Sequence, residues 1–544
     1  MWHHTVFLPK HMHQDSLSGC VNLPQLFDPA GALSCVDSLA FRGTHVSNHR
    51  GIVCALFGTP QLIDDGLVKK QSQIGLAQCI ADLWVKHGED LPSHLLNGYS
   101  LVIVDGHQRS VFLAVDKFAV RPLCYQLGDA VVSFSDRADC VGEKNSVLDP
   151  QALYDYLYFH MIPAPRTVFK GVLRLPASHS ILITPTGSKI SRHWPLNFTE
   201  MKSADLHVER DNVRALIDLV VAGELPGHER VGAFLSGGID SSTVAGTLRK
   251  MAGKPMPAYS IGFEAEGFDE MAFARLAAKH FDLEHHEYYV TPADMLKSIP
   301  DVAKFYDQPF GNSSALPAYF CAKMAKEDGC SKILAGDGGD ELFGGNTRYS
   351  FQQFLHLYRW VPGFLQKLIE PFCGETSPLR RIPGLRQILG YVRHSSVKMP
   401  HRLHTMNLVE ALGPSTILHA SLLKQIDTAL PAILIESVWK ECNSPALVNQ
   451  MLAYDWRFTL ADSDLPKVQG AAAMASISVG YPLLDTRLVE YSMRLPTNWK
   501  VNLFRLRWFF KRAMANFLPE AVIRKKKQGF GLPYEPGQSK ALNC

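Results

Sequence analysis

Hydrophobic positions fall into two regimes along the chain, short β-type runs first and predominantly helical patterns last. Residues 52–57, 99–104, 111–115 and 180–184 form apolar or alternating runs, and Gly106, Gly128 and Gly187 punctuate them, which predicts strands joined by turns. Residues 74–87 read as an intervening helix, so the stretch 51–192 is expected to be an α+β sandwich. Beyond the polar stretch 199–211 a helix is expected over 213–223, followed by β-type runs ending near Ser236 and at 258–263, 285–290 and 332–335, with helical patterns between. That alternation predicts an open α/β fold on a parallel sheet, with ligands at the carboxyl ends of its strands. Residues 350–520 are predominantly helical in pattern, with breaks at Pro362, Pro378, Pro383, Pro431 and Pro445.

Composition narrows the classes without choosing among them. At 46% hydrophobic and 20% charged, the 544 residues suit two or three domains with substantial cores. A net charge of +3 is too mild to argue for nucleic acid or an anionic membrane as partner. No apolar run is long enough to span a bilayer and the start lacks a signal-peptide core, so a cytoplasmic location is expected. The eleven cysteines include no CxxC pair and fit reduced thiols better than disulfides or structural zinc. His3, His4, His11 and His13 read as a polar arm, because no Cys or carboxylate joins them at ligand spacing.

Candidate chemistry concentrates at Ser236, where the apolar run from Val231 meets Gly237 and Gly238 and a helix begins. At such a turn backbone N–H groups and the helix dipole converge, and glycine leaves room for phosphate. Ser236, Ser241 and Ser242 can add hydroxyl donors, while Asp240 makes sense beside phosphate only with a cation such as Mg²⁺ between them. A second glycine-rich run carries Gly336, Asp337, Asp340 and Glu341 after a predicted strand, which is poor for packing and good for a cation with phosphates. His285, His286 and Glu287 invite a metal reading, but alternation along a strand turns His286 away from the other two.

The SGGIDSS segment resembles the pyrophosphate loop of the N-type ATP pyrophosphatases. With SIGF (260–263), DQPFGNSSALP (307–317), LAGDGGDELFGG (334–345) and KVQGAAAMASISVGYPLLD (467–485), the chain resembles the asparagine synthetase B family. The resemblance implies an Ntn-hydrolase-like glutamine amidotransferase sandwich over residues 1–200. Over 201–544 it implies an α/β ATP-pyrophosphatase domain, of adenine nucleotide α-hydrolase type, with a helical C-terminal region. It places ATP against Leu235, Ser236, Gly237, Gly238, Asp240, Ser241, Ser242 and Gly336, the adenine beside Ile261 and Gly262, and Lys527 on the phosphates. Mg²⁺ would lie between Asp240 and Asp340, and Asp337 and Arg507 would stand near the acyl-adenylate and the incoming amine.

The family pattern is broken in two places. A glutaminase of this kind needs a terminal cysteine, whereas position 2 is Trp2; Phe57-Gly58 stands for the family's Asn-Gly, and Leu76 for its glutamine-holding acid. On the synthetase side the family's D-R becomes Gln469-Gly470 and its E-x-R becomes Ser478-Val479-Gly480, while Arg507 replaces a lysine. A site for free aspartate needs such charges. The expected function is therefore an ATP-dependent amide ligase without its own glutaminase, similar in logic to β-lactam synthetases and lasso-peptide cyclases. Its partners would be small-molecule or peptide carboxylic acids and amines, with no nucleic acid or membrane; a homodimer is compatible with the sequence. The rival readings are a conventional asparagine synthetase, an ATP pyrophosphatase that modifies nucleic acid, and a catalytically inactive binding protein.

Overall fold

The computed structural model describes residues 16–141, 147–225, 230–263, 270–374, 378–382 and 384–525. Trp2, the N-terminal histidines and Lys527 lie outside the described residues. In the N-terminal part, a six-stranded antiparallel sheet runs in the order Gly187–Arg192, His179–Thr184, Ser110–Val115, Tyr99–Asp105, Ile52–Gly58, His45–His49. It faces a four-stranded sheet ordered Ser18–Asn22, Val131–Ser135, Cys124–Leu127, Leu173–Arg174. Val53, Ala55, Val102 and Val104 pack toward Val132 and Phe134 of that second sheet, while Cys54, Leu56, Leu101 and Ile103 pack on Ile80 and Trp84 of the helix Leu76–His87. Because both faces are covered, the Ile52–Gly58 strand reads as a continuous apolar run.

The helix expected over 74–87 is found at Leu76–His87, and a further helix, Asp65–Ile74, precedes it across Gly75 with φ +84°. Asp65–Ile74 buries no residue, so no apolar stripe announced it. The helix expected over 213–223 runs instead from Leu206 to Ala222, since Asp205 caps it by accepting from the N–H groups of His207 and Val208 at 2.8 and 3.1 Å.

The second sheet system is wholly parallel, in the order Glu284–Tyr289, Pro257–Gly262, Val231–Phe234, Lys332–Leu334, Ser478–Gly480. From the central strand Val231–Phe234 the chain adds strands on one side, then crosses to the other at Lys332–Leu334. The order of connection reverses between these two neighbours, which places a crevice at their carboxyl ends. The fifth strand, Ser478–Gly480, comes from the region expected to be helical; three residues are too few to show a period.

The sandwich is welded to this second part. Trp194 stacks on Trp456 at 5.8 Å between centroids, Arg174 donates to Asp462 Oδ1 at 2.9 Å, and Arg457 donates to the Ala164 carbonyl at 2.6 Å. Among the described residues no helix is long and apolar enough to cross a membrane, and the cysteines from Cys20 to Cys442 are free.

Candidate active site

The crevice holds a cavity of about 950 Å³ whose floor is the two loops leaving the central strands. After Val231–Phe234 the chain turns through Ser236 to Gly238, and the helix Ile239–Ala252 begins. Serines staple the turn: Ser236 Oγ and Ser241 Oγ lie 2.9 Å apart, and Ser241 Oγ accepts from the Ser236 N–H at 3.2 Å. Leu235, Ser236, Gly238, Asp240, Ser241, Ile261 and Gly336 line the cavity.

Gly237, Ser242 and Gly262 do not line it. Ser242 is fully buried on the inner side of its helix, about 100° round from Ser241, so it is not a phosphate donor. Gly262 makes room for the Tyr289 ring, to which a Cβ would approach within 2.6 Å. Gly237 takes φ +67°, and a Cβ there would sit 2.5 Å from the Ala274 nitrogen and 2.6 Å from the Phe273 carbonyl carbon. Gly237→Ala is therefore expected to destabilise the protein by about 1–3 kcal/mol, read as a lower midpoint in urea unfolding. A midpoint equal to that of the wild type would show that the turn tolerates another path.

The second loop folds over the first. A Cβ on Gly336 would lie 2.8 Å from the Ser241 nitrogen, so glycine is what lets the two loops touch. Gly338, with φ +95°, then starts the short helix Gly339–Phe343, which carries Asp340. Asp240 and Asp340, far apart in sequence, meet on one guanidinium. Arg507 Nη1 and Nη2 donate to Asp240 Oδ1 and Oδ2 at 2.9 and 2.7 Å, and Nη2 also donates to Asp340 Oδ1. Among the described residues no three His, Cys, Asp or Glu side chains form a metal cage. Two carboxylates are a donor set that would suit a magnesium ion beside phosphate.

Asp337 lies beside this pair. Burial raises its pKa to about 6, the Lys467 ammonium pulls it down, and Asp464 and Asp240 push it up. Lys467 donates to Asp464 Oδ1 at 2.8 Å; burial works against its charge, but Asp464 and Asp337 hold its pKa above the ordinary value. Asn312 Nδ2 points at the same carboxylate at 3.3 Å. Asp464, which the sequence reading passed over, thus organises one wall of the site. Its only signal was its place three residues before Lys467, one helical turn away.

A Cβ on Gly470 would lie 2.5 Å from the Tyr306 ring, which stacks on Phe310 at 5.1 Å, so aromatic rings occupy the space beside Gly470. Gly480 packs on Leu334 and Glu224, and Ser478 Oγ donates to the Ser331 carbonyl away from the cavity. In the sandwich, Phe57 lies under the Arg121 guanidinium at 4.6 Å, and Arg121 donates to Gln469 Oε1 at 3.1 Å. His285 and Glu287 pair at 3.2 Å while His286 turns to Asp328 and the Tyr259 ring, as strand alternation requires.

Comparison with known proteins agrees with this architecture. Residues 212–542 match the Asparagine synthase family and residues 72–194 the Glutamine amidotransferase domain. The chain is 26% identical over 466 residues to glutamine-hydrolyzing asparagine synthetase 1 of Bacillus subtilis, covering 82% of this chain and 69% of that protein. It is 23% identical over 464 residues to a putative glutamine-hydrolyzing asparagine synthetase of Mycobacterium bovis, covering 82% and 68%. An NH3-dependent NAD synthetase structure from Campylobacter jejuni shows a slight likeness, with a TM-score of 0.20 and 16% identity over 45% of this chain and 99% of that one. With the Asparagine synthase match extending over more than half its length, the chain belongs to the asparagine synthase family of ATP-dependent carbon–nitrogen ligases.

Proposed function

We propose that the protein adenylates a carboxylic acid other than free aspartate and passes the acyl group to an amine taken directly from solution. The observation that carries this reading is the meeting of Asp240 and Asp340 beside the glycine turn, on the lining of one cavity with Asp337. The turn at Gly238 and the start of the helix Ile239–Ala252 would receive the polyphosphate, and Asp240 and Asp340 would hold Mg²⁺. When bound, the ion neutralises charge on the departing pyrophosphate. The carboxylate of the acid attacks the α-phosphorus and pyrophosphate leaves; the amine then attacks the acyl carbon, the bond to the phosphate oxygen breaks, AMP leaves, and Asp337 accepts the proton that the amine gives up. Positioning and charge neutralisation supply the acceleration.

Loss of the charges for an amino-acid carboxylate supports an acid other than aspartate, because an arginine fork is the usual carboxylate holder. Tyr306 fills the space at Gly470 that an arginine side chain would need. Pyrophosphate release from ATP, measured against a panel of acids that includes aspartate with hydroxylamine as amine, tests the reading. Release that depends on an acid other than aspartate supports it. Release with aspartate alone would return the protein to asparagine synthesis, and no release with any acid would remove the ligase reading.

Phe57 stands where an oxyanion donor would be needed and is covered by Arg121. Incubation with glutamine is accordingly expected to give no stoichiometric glutamate, with or without ATP, since loss of one oxyanion donor alone lowers such rates by about 10²–10³. Glutamate released in step with product would overturn this part of the proposal.

A further inference from the structure

Arg507 occupies an unusual position in the site. It is 5% exposed, its backbone takes the left-handed conformation at φ 52° and ψ 36°, and it caps the helix Trp508–Ala513. A non-glycine residue is held in that conformation only where its surroundings fix it. Here its N–H donates to the Gly344 carbonyl at 3.2 Å, and its guanidinium spans both aspartates. Two glycines clear the space for this arrangement. A Cβ on Gly345 would overlap both Asp340 Oδ1 and Arg507 Nε, and a Cβ on Gly339 would overlap Asp240 Oδ1. Backbone, side chain and neighbouring glycines are thus shaped around one three-membered ion cluster.

We propose that Arg507 is a built-in counter-cation that keeps Asp240 and Asp340 in register and competes with divalent metal for them, so that metal enters with the nucleotide rather than before it. This inference rests on the reading of the two aspartates as the metal-carrying pair. A guanidinium fork satisfies two oxygens of Asp240 and reaches Asp340 at the same time, which a lysine ammonium, a point charge, does less well. A divalent ion alone has to displace that fork and leave it without an anionic partner. A polyphosphate brings the partner with it: the arginine exchanges carboxylate for phosphate oxygens while the carboxylates turn to the metal. No covalent bond changes in this exchange; only the pairing of charges does.

The test is Mn²⁺ binding to the full-length protein without nucleotide, followed by electron paramagnetic resonance and calorimetry. Arg507→Gln is expected to bind Mn²⁺ about tenfold or more tightly than the wild type, and Arg507→Lys to fall between them. With α,β-methylene-ATP present the order reverses, because the variant has lost the group that moves to the phosphates. Arg507→Lys keeps a positive charge in the cluster and provides the reading should the glutamine variant not fold. Mn²⁺ affinities within about twofold of the wild type in folded variants would overturn the inference. Asp240→Asn and Asp340→Asn separate the two levels. If they abolish Mn²⁺–nucleotide binding while the Arg507 variants change nothing, only this inference fails. If they too change nothing, the metal-pair reading fails with it.

Discussion

Asp240→Ala is expected to lower acid-dependent pyrophosphate release by about 10³-fold or more, with Asp340→Ala close to it and the double variant scarcely worse than either. The non-additivity matters more than the size. The two carboxylates sit on separate loops, one after Val231–Phe234 and one after Lys332–Leu334, and they converge on one guanidinium. Groups that hold a single ion act as a unit, so the first removal takes most of the effect. Asp240→Ala by itself leaves Arg507 paired with Asp340 and does not touch the Ser236–Ser241 staple, so this single variant is expected to fold. Steady-state pyrophosphate release for the three variants, alongside circular dichroism, checks this. Rates within about tenfold of the wild type would show that the glycine turn is not where pyrophosphate departs.

Some of this was legible in the sequence and some was not, for reasons that differ by residue. The glycine turn at Ser236 and the run from Gly336 to Glu341 were readable because each is local: a strand, a turn and a helix start lie within a dozen residues. Their meeting was only inferable by resemblance, as no local pattern tells that Gly336 must press on the Ser241 backbone. Ser242 was misplaced because adjacent helix residues point about 100° apart, so one of two neighbouring serines faces the core. The ion cluster of Arg507 was invisible, since it joins positions that the fold alone brings together. The helix Asp65–Ile74 and the strand Ser478–Gly480 escaped for opposite reasons, one lacking an apolar stripe and the other lacking length. The extra turns of Leu206–Ala222 were hidden behind polar residues that only the Asp205 cap explains.

Asp337→Asn should separate the two half-reactions. Asp337 lies at the cavity floor with a pKa raised to about 6 by burial, against the pull of Lys467. A carboxylate there is the ionised form above that value and can take a proton from an attacking amine; below it the group is already protonated and cannot. Product formation should therefore fall as pH drops through about 6 and level off above it. The amide has the same shape and no basicity, so hydroxamate formation should fall by about 10²–10⁴-fold and lose this acidic limb. Exchange of labelled pyrophosphate into ATP, which reports adenylation alone, should stay within about tenfold of the wild type, because Asp240 and Asp340 still carry that step. Asp337 shares a loop with Asp340 but faces the charges of Lys467 and Asp464, whereas Asp240 and Asp340 pair with Arg507, which is the physical reason to expect the steps to part. Equal loss of exchange and hydroxamate would instead assign Asp337 to the adenylation step, and an unchanged pH profile in the variant would remove it from proton transfer.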